Sequence, residues 1–448
     1  MSDIEPVVDL VDRHGLLVTG GEPLEVLPDH AVVCGGGRVL RVVPDRQAVG
    51  LPGRHLDADG AVVLPGFVNA HMHFYSTLVR GLGKAQPSRD FVEVLQHLWW
   101  RLDRTLELED CRVSARVAAL DAVRHGTTTV VDHHASPGAV AGALDAVADA
   151  ALQVGLRCCL CYEVSDRDGA DIARAGIEEN AAFLARCRER PDPLLAGMVG
   201  LHASFTLSDA TLERAVALAR AEHVGLHCHL AESAADQRHC LERHRERVTM
   251  RFARHGVLGP RTILAHGVHV DGDELALLAA SGTAVVHNPQ SNMNNAVGVA
   301  DLPAMVEAGV LVGLGTDAMT VDMREELRAA VWSQRLAKSD PSVGFMEAVA
   351  ALLRGSPRIA SRIWPLAVGE LRDGRAADLV VLDYRPPTPF DETTFAGHLV
   401  FGMALAPVTA TVVAGRVLLA DGRLELDLDP AEVAAHARER AAALWRRF

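Results

Sequence analysis

Eight short runs rich in Val, Ile, Leu and Thr recur along the middle of this chain, each followed by an Ala/Leu/Arg/Glu segment of helical period. That alternation restricts the fold more than any other feature. The runs are AVVLPGFVNAH, TTTVVDH, LRCCLCYE, LLAGMVGLHA, VGLHCHLAE, RTILAHGVHV, TAVVHNP and VLVGLGTD. Between them lie segments such as SDATLERAVALARAEH, which opens with a Ser N-cap and an acidic first turn. Eight βα units predict an α/β fold, a TIM (β/α)8 barrel over residues 66–365.

The flanks follow another pattern. VVDLVDRHGLLVTG, HAVVCGGGRVLRVV and GRHLDADGAVVLPG precede the barrel, and AADLVVLDY and TATVVAGRVLLADGRLEL follow it, as Gly-punctuated strands without intervening helices. Residues 1–65 and 366–448 are expected to meet in one small β-sandwich, the second part ending in a docked helix, PAEVAAHARERAAALWRRF. A chain of 448 residues with 49% hydrophobic content can fill both cores.

The formal net charge of -14 comes from scattered Asp and Glu without a basic stripe, which excludes nucleic acid as the expected partner. The N-terminal MSDIEPVVDLVDRHG lacks the basic and apolar regions of a signal peptide, and charges interrupt every apolar run before about 18 residues. The expectation is a cytoplasmic protein with no membrane association. Cys158, Cys159 and Cys161 in one strand-like run suit buried thiols better than a disulfide framework. The oligomeric state is left open, a homo-oligomer included.

Barrel active sites lie at the C-terminal ends of the strands, so the residues ending the eight runs are the candidates. His71 and His73 end the first; the period of two puts both imidazoles on one face, as a chelating pair requires. The fifth run places His229 at its end and Glu232 three residues on, with His227 one layer deeper as a packed or supporting histidine. His266 ends the sixth run and Asp317 the eighth, while His202 ends the fourth. Each has a plainer alternative: Asp317 as the N-cap of the next helix, His266 and His202 as satisfied core histidines. His133, His134, His269 and His287 read as structural or loop residues.

The ordered set PGFVNAHMH, GLHASFTLS, HCHLAES, ILAHGVH, HNPQSNM and GLGTDAMTVDM resembles the amidohydrolase superfamily, in its deaminase and chlorohydrolase branch, over nearly the whole chain. HFYSTLVRGL, LWWRLDRTLELED, HNPQSNMNNAVG, ASRIWPLAVGELRDGRAADLVVLDYRPPTPF and HLVFGM are similar to the aminohydrolases called SsnA. The resemblance implies that His71, His73, His229 and Asp317 bind one divalent metal, zinc first, with iron or manganese as alternatives. It further implies that Glu232 and His266, with Asp317, transfer protons and that His202 contacts substrate. Two departures bear on the pocket: His287-Asn288-Pro289-Gln290 stands where many relatives carry Cys-Pro, and Ala318 replaces a common Gly. Binuclear members bridge their metals with a carboxylated lysine at a strand end, but neither lysine here, Lys84 or Lys338, ends a strand, so one metal is expected.

A divalent ion brings the pKa of bound water down to about 7. The expected reaction is therefore hydroxide attack on an amidine-like ring carbon, with Glu232 protonating the ring nitrogen and ammonia leaving. Tyr75, Trp99, Trp100, Ser204, Gln290 and Met293 join His202 as pocket candidates for a flat nitrogen heterocycle. A helical pair such as Trp99 and Trp100 normally points one ring inward and the other away. The alternatives are hydrolysis of a cyclic amide, or displacement of chloride or an alkylamine, at the same site, and a metal-binding barrel without catalysis.

Overall fold

The computed structural model describes residues 7–448; residues 1–6, part of the expected N-terminal sandwich segment, lie outside them. The eight runs become parallel strands: β1 (Phe67–His73), β2 (Thr127–Asp132), β3 (Arg157–Leu160, continued at Glu163–Val164) and β4 (Leu195–Gly197 and Val199–Ala203). There follow β5 (Leu226–Leu230), β6 (Ile263–His266), β7 (Ala284–His287) and β8 (Leu311–Leu314, continued at Asp317–Ala318). Each pairs in parallel with the next, and Asp317 and Ala318 pair with Met72 and His73, which brings β8 back against β1. Helices of the predicted kind separate them. Asp209–Ala221, for example, starts where Ser208 accepts a hydrogen bond from the Thr211 amide.

The run AVVLPGFVNAH, expected as one strand, is two. Val62–Pro65 belongs to the accessory sheet and Phe67–His73 to the barrel, with Gly66 at the joint, where a Cβ would stand 2.2 Å from a Thr128 methyl carbon. Among the described residues the accessory sheet has nine strands, drawn from both chain ends. They meet where Val62–Pro65 runs parallel to Leu10–Val18 on one side and antiparallel to Leu379–Leu382 on the other. Leu10, Leu17, Val32, Leu379 and Val412 share its separate core. The C-terminal helix Pro430–Arg447 docks on the barrel: Leu444 is buried, the Trp445 indole donates to the Leu78 carbonyl at 2.8 Å, and Arg440 pairs with Glu107 and Asp110.

One feature of β1 positions the site. Its connection to the helix Leu108–Arg124 carries extra short helical segments, Phe91–Val94, Leu95–Trp99 and Trp100–Thr105, which lie over the C-terminal mouth of the barrel. All eight cysteines are unpaired, and Cys158, Cys159 and Cys161 are buried. No helix among the described residues is long and apolar enough to cross a membrane.

A buried ion pair joins barrel to sheet. The Arg157 guanidinium on β3 meets both Asp378 carboxylate oxygens at 3.1 and 3.2 Å, and Asp378 also accepts from the Ala414 amide at 2.6 Å. Removing one partner strands a desolvated charge. Arg157→Ala is expected to lower stability by about 3–5 kcal/mol in urea unfolding. Substitution costing less than about 1 kcal/mol would show that this pair is not what anchors the two cores.

Candidate active site

The first and last barrel strands build the site together. β8 can pass close to β1 because Gly315 has no side chain; a Cβ there would meet the His71 main-chain oxygen at 2.6 Å and its nitrogen at 2.7 Å. Asn69 then holds the turn, donating to the Thr316 hydroxyl at 2.8 Å and accepting from the Thr316 amide at 3.1 Å. Asp317 emerges beside the His71 and His73 rings, its Oδ1 2.9 Å from His73 Nε2 and 3.4 Å from His71 Nε2. It is not an N-cap: the helix Met323–Lys338 is capped by Asp322. β5 contributes His229, whose Nε2 lies 3.4 Å from that of His73. His71, His73, His229 and Asp317 can each offer one atom such that all four lie within 4.8 Å of one another.

The remaining nitrogens of these rings are already engaged. His73 Nδ1 donates to the His133 carbonyl at 2.5 Å and His229 Nδ1 to the His202 carbonyl at 2.8 Å, so each ring turns Nε2 toward the common point. His71 Nδ1 is 2.9 Å from His227 Nε2, and His71 Nε2 is buried with no hydrogen-bond partner among the described residues. Burial lowers the His71 pKa to about 3 and holds His229 well below the imidazole range, which keeps their lone pairs free. At His73, burial works downward but the Asp317 carboxylate outweighs it and raises the pKa to about 9. The cluster therefore demands positive charge beside Asp317 while offering unprotonated imidazoles around the same point. Three imidazoles and one carboxylate at this spacing fit a divalent cation, and zinc suits that donor set.

Beside it stands a second group. Glu232 Oε2 is 3.5 Å from His266 Nε2, which is 4.0 Å from Asp317 Oδ2. His266 Nδ1 contacts Asn292 Oδ1 at 2.8 Å, Glu232 accepts from Asn295 at 3.2 Å, and the Ser291 hydroxyl donates to Asp317 Oδ2. Burial raises the Glu232 pKa to about 7, whereas Asp317 sits well below the carboxylate range because His71 and His73 outweigh its burial. The backbone is strained where these groups leave their strands: φ is +43° at Ala231, +75° at His266 and +58° at Asp317.

The groups open into a cavity of about 210 Å³. Tyr75, Trp99, Trp100, His202 and Gln290 line it. Both tryptophans do so at the junction of the π-turn Leu95–Trp99 with the helix Trp100–Thr105, where one ring turned away was expected. Ser204 and Met293 do not line it: the Ser204 hydroxyl accepts from Arg251 at 2.9 Å, and Met293 is 47% exposed on the outer side of Pro289–Asn294. Sequence reasoning missed Asp103, Glu163, Arg167, Ser291 and Asn295 in the cavity wall. Glu163 closes the third run, LRCCLCYE, so the strand-end rule could have found it; Arg167 and Asp103 lie on connections that no such rule reaches.

The amidohydrolase family model matches residues 62–418. The chain is 30% identical over 401 residues to the 5-methylthioadenosine/S-adenosylhomocysteine deaminase of Pelotomaculum thermopropionicum, covering 88% of this chain and 89% of that one. It is 31% identical over 442 residues to the enzyme of the same name from Haloarcula marismortui, covering 96% and 99%. Its fold matches a crystal structure of an adenosine deaminase from Xanthomonas campestris with bound zinc, with a TM-score of 0.85, 26% identity, and coverage of 98% and 99%.

Elemental analysis of the purified protein should find close to one zinc or iron ion per chain, and His71→Ala or Asp317→Asn should remove most of it. Two metal ions per chain at full occupancy would overturn the single-ion reading.

Proposed function

This chain belongs to the amidohydrolase family, and from that premise we propose that it is a metal-dependent aminohydrolase that replaces the amino group of an amino-substituted nitrogen heterocycle or cyclic amidine with oxygen, releasing ammonia. The observation that carries this reading is the convergence of Glu232, His266 and Asp317 on one side of the three-histidine cluster. This arrangement supports a reading in which Glu232 is the proton donor, His266 the orienting imidazole and Asp317 the proton acceptor around one point. The names of the relatives, deaminases of adenosine derivatives, support the same class.

A divalent ion held by His71, His73, His229 and Asp317 would supply Lewis acidity that makes a water molecule a competent nucleophile at neutral pH. The protein's own groups account for the rest. His266, fixed through Asn292, aims Nε2 at the attacking oxygen. Glu232 is protonated in part near neutral pH and gives its proton to the ring nitrogen adjoining the attacked carbon. Asp317 takes a proton from the water and hands it to the departing amine, which leaves as ammonia. The hydroxyl left on the ring then returns its proton to Glu232, so the product is a ring carbonyl beside N–H. One water is consumed for each ammonia released. His202 and the aromatic walls hold the flat ring, and the eight unpaired thiols suit a reducing cytoplasm.

A panel of aminopurines, their 8-oxo forms, pterins, aminopyrimidines, aminotriazines and cyclic guanidines, assayed for ammonia with zinc-loaded and iron-loaded protein, tests the reading. Glu232→Gln should retain metal and fold while kcat falls by about two to four orders of magnitude. His202→Ala should lower kcat/KM without loss of metal. Turnover of a lactam or a chlorinated ring with no ammonia from the panel would replace deamination by the displacement reading.

A further inference from the structure

Beside the metal-type cluster, where a Glu163 oxygen comes within 4.8 Å of His229, the cavity wall holds an ionic group that the proposed reaction does not use. Arg167 donates to Glu163 Oε1 at 2.6 Å and to Asp103 Oδ2 at 2.5 Å, and its Nε lies 3.4 Å from Asp168 Oδ2. Its guanidinium carbon stands 5.8 Å from the centre of the Trp100 ring. The Arg167, Asp103 and Glu163 side chains are 6%, 2% and 4% exposed. Arg167 is the only Lys or Arg lining the cavity among the described residues, against five carboxyl residues: Asp103, Glu163, Glu232, Asp236 and Asp317. Arg167 thus turns each of its nitrogens toward a carboxylate, although Nε, 3.4 Å from Asp168 Oδ2, makes no hydrogen bond. Five polar atoms of the cavity wall remain buried without hydrogen-bond partners among the described residues: Arg167 Nε, Gln290 Nε2, Thr320 Oγ1, Asp103 Oδ1 and the Trp100 indole nitrogen. Asp103 and Trp100 lie three residues apart on one helix, Trp100–Thr105, which brings their side chains to the same side. Buried polar atoms of this kind are expected to find a partner.

Resting on the aminohydrolase reading, we propose that this wall is a charge-selecting subsite: Asp103 Oδ1 accepts and the Trp100 indole donates a hydrogen bond to a neutral or cationic part of the substrate, while an anionic substituent such as phosphate or carboxylate is rejected. Asp103 is then a specificity-determining residue. An anion entering here meets the unpartnered Asp103 oxygen and an arginine whose nitrogens already face carboxylates, so like-charge juxtaposition disfavours it. The substrate is accordingly a free base or uncharged derivative rather than a nucleotide or a ring acid.

Two measurements test this with intact, metal-loaded protein. The first compares neutral and anionic members of matched pairs, pterin with pterin-6-carboxylate and adenosine with adenosine 5'-monophosphate, by fluorescence titration or calorimetry. The neutral member should bind about 100-fold more tightly, and Asp103→Asn, which keeps the shape and removes the charge, should narrow the gap about tenfold through tighter binding of the anion. Equal binding of both members, or a gap unchanged in Asp103→Asn, would overturn the proposal. The second needs no substrate: the Trp100 contribution to fluorescence quenching, taken as the difference from Trp100→Phe, should respond to neutral acrylamide but not to iodide, and Asp103→Asn should admit iodide. Iodide quenching of Trp100 in the unaltered protein would also overturn it. If no panel heterocycle binds while the quenching contrast holds, the aminohydrolase reading fails and the charge selection stands.

Discussion

The site depends on the approach of β8 to β1 at Gly315. Two of the four metal-type residues are on β1 and one is on β8, so the cluster exists only if the first and last strands of the ring come within hydrogen-bonding distance. Gly315 makes room for that approach, and the paired hydrogen bonds between Asn69 and Thr316 set its register. Asp317 follows two residues later with φ at +58°, a left-handed conformation uncommon for a residue with a side chain. The strain turns the carboxylate back over the barrel axis instead of letting it continue along the strand.

Burial then assigns each side chain its protonation state. The same low-dielectric surroundings push the imidazoles of His71 and His229 down and the Glu232 carboxyl up, while Asp317, ringed by donors, stays ionised. Identical chemical groups therefore take opposite tasks: one carboxyl carries a proton, its neighbour 's charge faces the histidines. Main-chain carbonyls at His133 and His202 do as much for the imidazoles by fixing which nitrogen keeps the proton. The cluster is thus inseparable from the barrel's own strands, since those carbonyls belong to the ends of neighbouring strands.

Above the barrel mouth, the segment from Phe91 to Thr105 supplies the aromatic wall, and the connection after β3 supplies Arg167. On the proposed reading, the reacting groups come from strand ends and the recognition groups from connections, a division that leaves the chemistry rigid and the selectivity adjustable. The buried ionic group of Asp103, Glu163 and Arg167 ties the two connections together, so the same contacts that shape the pocket also hold its roof.

His71, His73, His229, His266 and Asp317 were legible in the sequence because a strand has a period of two and a barrel presents its strand ends on one face. Those are local rules, and local rules need only nearby residues. The eight alternating units and the Gly-punctuated flanks were legible for the same reason. The displacement of Ser204 and Met293 from the cavity was not, nor was the joint presence of Trp99 and Trp100 in it: Ser204 is held by the distant Arg251, Met293 turns outward to solvent, and the tryptophans sit where a π-turn interrupts the helical period. The sequence by itself determined the repeating architecture and the kinds of group at the strand ends, through periodicity. Only the tertiary structure decided which polar side chains share one cavity and which carry charge there, because proximity across the barrel and loss of water are properties of the packed chain and not of any segment of it.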